Sequence, residues 1–171
     1  YKSLPFNYYS STSKQVESVI NGKNNILANV PLEPAILLAN NILDIGCGAG
    51  WLTNSISYFY KEKKVAGIDF NSVAVKRAQE VANKLNLKTY FKVDDLFNFK
   101  PEKRFDLVIS IGVLMYTYDC ISALRSIIQN TLKPEGSIYI GLYHTHGRKP
   151  FLDHFEKLKQ AGYSEDKLIE E

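Results

Sequence analysis

Three glycines, at positions 46, 48 and 50, alternate with other residues directly after a short apolar run. Glycine allows a tight turn and a close approach to a ligand, because no Cβ lies in the way. Leu52, Ile56 and Phe59 then recur at helical spacing, so a helix begins directly after the loop. The first amide groups of a helix have no partner within it and can bind polar ligand groups. Residues 46–50 are therefore predicted to hold a nucleotide-like ligand.

Acidic residues stand around this loop in the sequence. Asp44 lies two residues before the first glycine, Asp69 ends a second apolar run, and Asp94 and Asp95 end a third. Ligands of open parallel sheets bind at the carboxyl ends of the strands, where the strand order reverses. A carboxylate accepts hydrogen bonds through two oxygens, which suits hydroxyl and amino groups of a ligand. These residues are predicted to surround the ligand of the glycine loop.

Alternating strand and helix patterns must position these residues between Ile42 and Leu142. Such alternation predicts a doubly wound α/β fold, a mainly parallel sheet with helices on both faces. We expect three segments: residues 1–39 as a helical or irregular lid or cap, residues 40–143 as the α/β core, and residues 144–171 as a helical tail. The five predicted strands are residues 42–45, 65–68, 89–93, 105–111 and 137–142.

The bulk composition excludes several classes of protein. The 171 residues suit one core, with 45% hydrophobic residues and a net charge of +3 spread along the chain. The basic residues are not concentrated in a way that would indicate nucleic-acid binding. No apolar run is long enough to indicate a membrane span, and no signal pattern indicates secretion. Cys47 and Cys120 form no metal-binding cluster, so we predict no metal and a reducing, cytoplasmic setting. The oligomeric state stays open.

The motifs together resemble those of class I S-adenosylmethionine (SAM)-dependent methyltransferases. The resemblance covers about residues 40–143 and rests on five segments in order: 43–50 (LDIGCGAG), 67–70 (GIDF), 93–96 (VDDL), 105–110 (FDLVIS) and 132–137 (LKPEGS). It implies a Rossmann-like fold and methyl transfer from SAM to a small molecule or metabolite, with oxygen favoured as acceptor and S-adenosylhomocysteine (SAH) as product. A nicotinamide-dependent oxidoreductase is the rival enzyme, but its glycine loop has glycine at the sixth position, where this chain has Trp51.

The resemblance also implies a role for each residue near the cofactor. Asp44 would orient the charged amino end, Asp69 would accept from both ribose hydroxyls, and Phe70 would line the adenine. The adenine amino group would bind Asp95, with Asp94 as the alternative. The remaining cofactor residues implied are Gly46, Cys47, Gly48 and Gly50 under the methionine and ribose, Leu96 on the ring, and Ile111 through its carbonyl oxygen. Read from its residue type alone, Cys47 is a small packing residue.

The acceptor side is less defined by the sequence. Residues 143–149 are expected to emerge at the same rim as the glycine loop, where His144 or His146 could be a general base and Arg148 could hold an anionic group. Tyr116, after the fourth strand, and Tyr8, in a possible N-terminal lid, are further substrate candidates. For all of these residues the alternative is local packing or backbone hydrogen bonding.

Two departures from the family pattern leave the substrate open. Residues 115–118 contain no histidine, and the Asn/Asp-Pro-Pro-aromatic signature of amino-methylating enzymes is absent. The family sheet usually ends in an antiparallel hairpin, but only helical patterns follow Leu142. Either the chain is a fragment or helices replace that tail, and the isolated chain could bind cofactor yet turn over poorly. A non-catalytic binding or regulatory domain is therefore the second rival.

Overall fold

The computed structural model describes residues 5, 8–22 and 32–163. The chain divides into two compact units, Tyr1–Gly141 and Leu142–Glu171. The end of the predicted helical tail, from residue 164 onward, lies outside the described residues. No helix among the described ranges is both long and apolar enough to cross a membrane.

The first unit alternates helices and strands along most of its length. Its helices are α1 (Thr12–Ile20), α2 (Glu33–Leu38), α3 (Trp51–Phe59), α4 (Ser72–Lys84), a 3₁₀ turn (Leu114–Tyr116) and α5 (Cys120–Thr131). Its strands are β1 (Asn41–Ile45), β2 (Lys64–Asp69), β3 (Tyr90–Val93), β4 (Phe105–Ile111) and β5 (Leu132–Gly141). Side-chain caps begin three of these helices, Ser11 for α1, Asn71 for α4 and Asp119 for α5, as these residue types favour.

The strands form one parallel sheet in the order β3-β2-β1-β4-β5. The chain adds β2 and β3 on one side of β1 and then returns to add β4 and β5 on the other. The strand order therefore reverses between β1 and β4, which is where such sheets bind ligands. The predicted doubly wound fold is confirmed, and the sheet contains no antiparallel hairpin among the described residues. β5 begins at Leu132 rather than at Ser137, with a register shift against β4 between Phe105 and Leu107.

Helices cover both faces of the sheet. Successive residues of β1 point to opposite faces, so they pack against different helices. Leu43 and Ile45 pack with α5, whereas Ile42 packs with α2 and α3. A third cluster joins α4 to β3 and to the thiol of Cys47 in the glycine loop. Asp44 shares the face of Ile42, so its carboxylate lies beneath α3 and not in open solvent.

The second unit contains one long helix, α6 (Thr145–Gln160). The apolar spacing of residues 151–158 is helical, but the helix already begins at Thr145, so most of residues 143–149, which were expected to emerge at the rim of the sheet, are helical. His144 makes this start possible, since its Nδ1 accepts from the Gly147 amide at 3.1 Å. Pro150 lies inside the helix, where its missing N–H removes one backbone hydrogen bond.

Candidate cofactor site

The glycine loop between β1 and α3 needs glycine for steric reasons. Gly46, Gly48 and Gly50 have φ of +74°, +53° and +77°, a region that side chains disfavour. A Cβ added to Gly46 would overlap with Cγ2 of Val113. The amides of Gly46 and Cys47 both donate to the Ile68 carbonyl, at 2.8 and 3.0 Å, which fixes the loop to the end of β2.

Asp69, the last residue of β2, joins the glycine loop to the start of α4. The side chain is buried, and its Oδ2 accepts from the Gly48 amide at 2.9 Å. Its Oδ1 accepts from the Asn71 amide at 2.8 Å. Each carboxylate oxygen offers about two acceptor positions. Asp69 therefore orders the loop and retains the chemistry to accept from neighbouring ligand hydroxyls.

Asp44 is a buried carboxylate without a described cationic partner. It is 4% exposed, and its Oδ2 accepts a 2.6 Å hydrogen bond from the Thr53 hydroxyl of α3. Burial, with a smaller contribution from the charge of Asp69, raises the pKa of Asp44 to about 6, although the Thr53 bond opposes this rise. No lysine, arginine or histidine among the described residues forms an ion pair with it. A cationic ligand group would supply the missing partner.

The acidic pair after β3 is divided between two structural roles. Asp94 forms a 2.7 Å ion pair with Lys92, and its Oδ1 accepts from the Asp95 amide. Asp95 is exposed, and its Oδ1 accepts from the Phe97 amide at 2.9 Å. The Oδ2 atom of Asp95 has no hydrogen-bond partner within the described ranges, which favours Asp95 over Asp94 as a ligand acceptor.

The two apolar residues implied at the adenine differ in exposure. Phe70, directly after Asp69, is 60% exposed, and Leu96 is half-buried against the core. An exposed aromatic ring beside a carboxylate that can bind ribose is suited to stacking on a flat base.

The strand order reverses between β1 and β4. The glycine loop follows β1, and the segment after β4 lies on the opposite side of this reversal. Ile111 is 42% exposed at the end of β4, and the following Gly112 has φ +71° and donates to the Gly141 carbonyl. Tyr116 is largely exposed in the 3₁₀ turn. Tyr118 stacks on Phe97 with ring centroids 4.7 Å apart, so this segment contacts the turn that contains Asp95.

The N-terminal residues pack on α4 through Arg77. The Arg77 guanidinium lies 4.2 Å from the centre of the Tyr8 ring, donates to the Tyr8 hydroxyl and donates to the Tyr9 carbonyl. The buried Gln15 accepts from the Tyr9 amide through Oε1. Tyr8 is thus held by protein contacts, as its packing alternative predicts, while a substrate role for it stays a prediction.

In the second unit, the two candidate histidines are exposed and their rings lie 5.6 Å apart. Because Nδ1 of His144 accepts the capping hydrogen bond, we infer that its proton is on Nε2 in the neutral ring. His146 makes no such capping bond. The Arg148 guanidinium lies 4.0 Å from the centre of the Tyr143 ring.

Sequence reasoning missed four features of the site. Thr53 gave no motif signal, since a threonine in a helix usually serves packing or a backbone carbonyl. Asn71 follows Asp69 by two residues directly before a helical pattern, which is a cap signal that was available. Gly112 and the Phe97–Tyr118 stack depend on tertiary contacts between distant segments, which a local pattern does not show.

Comparison with known families gives a direct match. A family model described as "Methyltransferase domain" matches residues 39–167. Among curated proteins, the chain is 34% identical over 99 residues to a "Putative methyltransferase 235L" of Invertebrate iridescent virus 6, which covers 58% of the chain and 36% of the viral protein. It is 28% identical over 120 residues to malonyl-[acyl-carrier protein] O-methyltransferase 2 of Ilyobacter polytropus, covering 70% of the chain and 44% of that enzyme. The chain thus spans less than half the length of both relatives.

Solved structures show the same fold. The plantazolicin methyltransferase BpumL, solved in complex with a monoazolic desmethylPZN analog and SAH, has a TM-score of 0.59 at 24% identity over 92% of this chain and 60% of its own. The PH0226 protein of Pyrococcus horikoshii OT3 has a TM-score of 0.62 at 23% identity, over 82% of this chain and 64% of its own. Given the family match over three quarters of its length and the glycine loop at the reversal of strand order, the chain belongs to the class I SAM-dependent methyltransferase family.

Proposed function

We propose that this chain binds SAM at the glycine loop and transfers its methyl group to a small molecule or metabolite, with oxygen as the favoured acceptor. The observation that carries the proposal is the buried pair Asp44 and Asp69 on either side of the loop, with no described cation paired to Asp44. A ligand with a charged amino group and neighbouring hydroxyls matches both carboxylates. Oxygen is favoured because the malonyl-[acyl-carrier protein] relatives are O-methyltransferases.

The chain's residues would divide the binding as follows. Asp44 would pair with the cofactor's amino group, Asp69 would accept from the ribose, and Phe70 would stack on the base. Asp95 is preferred to Asp94 for the adenine amino group, because Asp94 is already paired with Lys92. The remaining contacts proposed are the backbone of Gly46, Cys47, Gly48 and Gly50, the side chain of Leu96 and the carbonyl of Ile111.

SAM supplies a methyl group bonded to a positively charged sulfur, so the protein mainly aligns the reactants and excludes water. A base is required only where the acceptor must lose a proton. His146 is preferred to His144 for this role, since the Nδ1 of His144 is used in capping α6. Tyr116 and Arg148 remain the proposed substrate contacts. The free thiols of Cys47 and Cys120 fit a cytoplasmic setting, which stays a prediction.

Calorimetric titration with SAM, SAH and NAD tests the cofactor assignment. We expect both sulfur nucleotides to bind and NAD not to bind. Asp69→Asn should weaken binding of SAH at least tenfold, because it removes the charge that strengthens the ribose hydrogen bonds. Asp153→Asn, which removes a carboxylate from an exposed i,i+4 ion pair of α6, is the matched control. Binding of NAD alone would overturn the proposal.

A methyl-transfer screen tests the activity itself. If the screen finds an acceptor that reacts through oxygen, His146→Gln should lower the rate of methyl transfer on both sides of neutral pH, because the group that accepts the proton is gone. His144→Gln should lower it less. Cofactor binding without transfer to any acceptor in the screen would favour the rival reading, a non-catalytic binding domain.

A further inference from the structure

Thr53 makes a contact that the binding proposal above does not use. It is fully buried at the third position of α3, and its hydroxyl donates to Oδ2 of Asp44 at 2.6 Å. Such a short bond from a hydroxyl to a carboxylate is in the range of charge-assisted hydrogen bonds. The helix cap at Gly50 has no side chain, so the first turn of α3 contacts β1 through Thr53 and not through a capping residue.

We propose that Thr53 is the positioning residue that keeps the Asp44 carboxylate ionised and oriented for the cofactor's amino group. This rests on the proposed function, since it requires that Asp44 bind the cofactor. Thr53 occupies Oδ2, which leaves Oδ1 as the atom that can accept from a ligand. A helical threonine has two favoured χ1 rotamers, because its hydroxyl can also bond a backbone carbonyl, so the hydrogen bond to Asp44 selects the orientation of this hydroxyl.

The surroundings of Asp44 explain why such a donor matters. The titratable groups that face Asp44 are the Asp69 carboxyl and the Cys47 thiol, while β4 presents Ile109 beside it. Burial and the two carboxylates raise the pKa of the Cys47 thiol, so it stays neutral and supplies no counter-charge. Thr53 is the hydrogen-bond donor that lowers the pKa of Asp44 against burial and the charge of Asp69.

Removal of the hydroxyl should therefore shift the pH dependence of binding. In the wild type, SAH affinity should fall as the pH falls through about 6, when Asp44 takes up a proton. In Thr53→Val the same fall should begin at a higher pH. Once the pKa of Asp44 exceeds the pH of the assay, the affinity should be about tenfold lower for each further unit by which that pKa rises. Raising the pH to 9 should restore much of it. A purely structural defect would lower the affinity equally at all pH values.

The experiment is calorimetric titration of SAH between pH 5 and 9, together with carbon NMR titration of the aspartate carboxyls without cofactor, with Asp44→Asn to assign the signal. Thr53→Ser keeps a hydroxyl and should stay within about threefold of the wild type, a modest loss because serine can also bond a helix carbonyl. Thr131→Val is the matched control, since that buried hydroxyl of α5 donates to the Ile127 carbonyl at 2.7 Å.

The possible results distinguish a failure of the proposed cofactor binding from a failure of the proposed role of Thr53. A wild type that binds neither SAM nor SAH would overturn the proposed function and this inference with it. A wild type that binds, combined with an unchanged pH profile and an unchanged Asp44 titration in Thr53→Val, would overturn the role of Thr53 alone.

Discussion

Replacing Asp44 by asparagine should raise the stability of the protein, relative to the wild type, as the pH rises from acid to neutral, while weakening cofactor binding. The carboxylate is buried, and its pKa is raised from 3.8 to about 6. An acid with a raised pKa in the folded state keeps its proton longer when folded than when unfolded. Its contribution to stability is therefore present below pH 4 and is lost as the pH rises through about 6. Asparagine has no charge to bury, so the variant does not show this loss of stability as the pH rises.

The size of the effect follows from the same shift. Each pKa unit corresponds to about 1.4 kcal/mol, so a rise from 3.8 to about 6 gives about 3 kcal/mol between pH 4 and pH 8. The new amide must find an acceptor for its N–H groups, which has a cost of its own. That cost does not depend on pH. The difference in free energy of unfolding between variant and wild type should therefore widen by about 3 kcal/mol from pH 4 to pH 8, whatever its value at pH 4.

Urea unfolding at several pH values measures this difference, and Asp106→Asn provides a matched control of opposite sign. Asp106, at the start of β4, binds Lys133 at 2.6 Å and accepts from the amides of Asn40 and Asn41. The Lys133 hydrogen bond, with those from Asn41 and Asn40, holds the pKa of Asp106 well below its usual range. The stabilisation by the Asp106 carboxylate is present above pH 4 and is lost as the pH falls. The loss of stability of Asp106→Asn relative to the wild type should therefore be larger at pH 8 than at pH 3.

An equal change in stability of Asp44→Asn at pH 4 and pH 8 would show that burial of an unpaired charge is not the cause. A change in the same direction with pH for the Asp44 and Asp106 variants would show the same. Calorimetry at pH 8 should show that the Asp44 variant has lost affinity for SAH.

Three further predictions concern single contacts. Gly46→Ala should lower the free energy of unfolding by about 2–5 kcal/mol, about 1–2 from the left-handed φ and about 1–3 from contact with Val113. In a Val113→Ala background only the contribution from φ should remain. Equal losses in both backgrounds, measured by urea titration, would exclude the steric cause. Arg77→Gln should remove about 0.5–1 kcal/mol from the Tyr8 contact and speed proteolysis of the N-terminal segment, and an unchanged cleavage rate would contradict this. His144→Ala should destabilise α6 by about 1 kcal/mol, His144→Asn should restore its cap, and circular dichroism during heating would show equal curves if the cap were unimportant.

The order of strands and helices could be predicted from the sequence because it depends on local periodicity. The apolar runs before residues 46, 69 and 94 predict the strands that lead to the glycine loop, Asp69 and the acidic pair. Asp119 accepts from the amides of Ile121 and Ser122 at the start of α5, and an aspartate directly before a helical pattern is a cap signal that the sequence contains. These features need only neighbours within a few residues.

What the sequence could not supply depends on contacts between distant segments. The start of α6 was placed too late because no apolar residue marks its first turn, which instead depends on the His144 cap. The ion pair between Lys92 and Asp94, on which the proposed preference for Asp95 rests, gives no signal in the sequence. The bond between Thr53 and Asp44 joins a helix to a strand nine residues away, and no spacing rule distinguishes this threonine from one that only packs.

Aspartates at the two ends of the strands differ in how their charge is balanced. At the amino end of β4, Asp106 receives two backbone amides and Lys133, so its charge stabilises the fold without any ligand. At the carboxyl ends, Asp44 receives one hydroxyl, and burial works against its charge. A fold selected for stability alone would neutralise both. The unbalanced charge is at the point where the strand order reverses, where the proposed cofactor would place its amino group. We therefore expect the cost in stability at neutral pH to be recovered as affinity when that ligand binds.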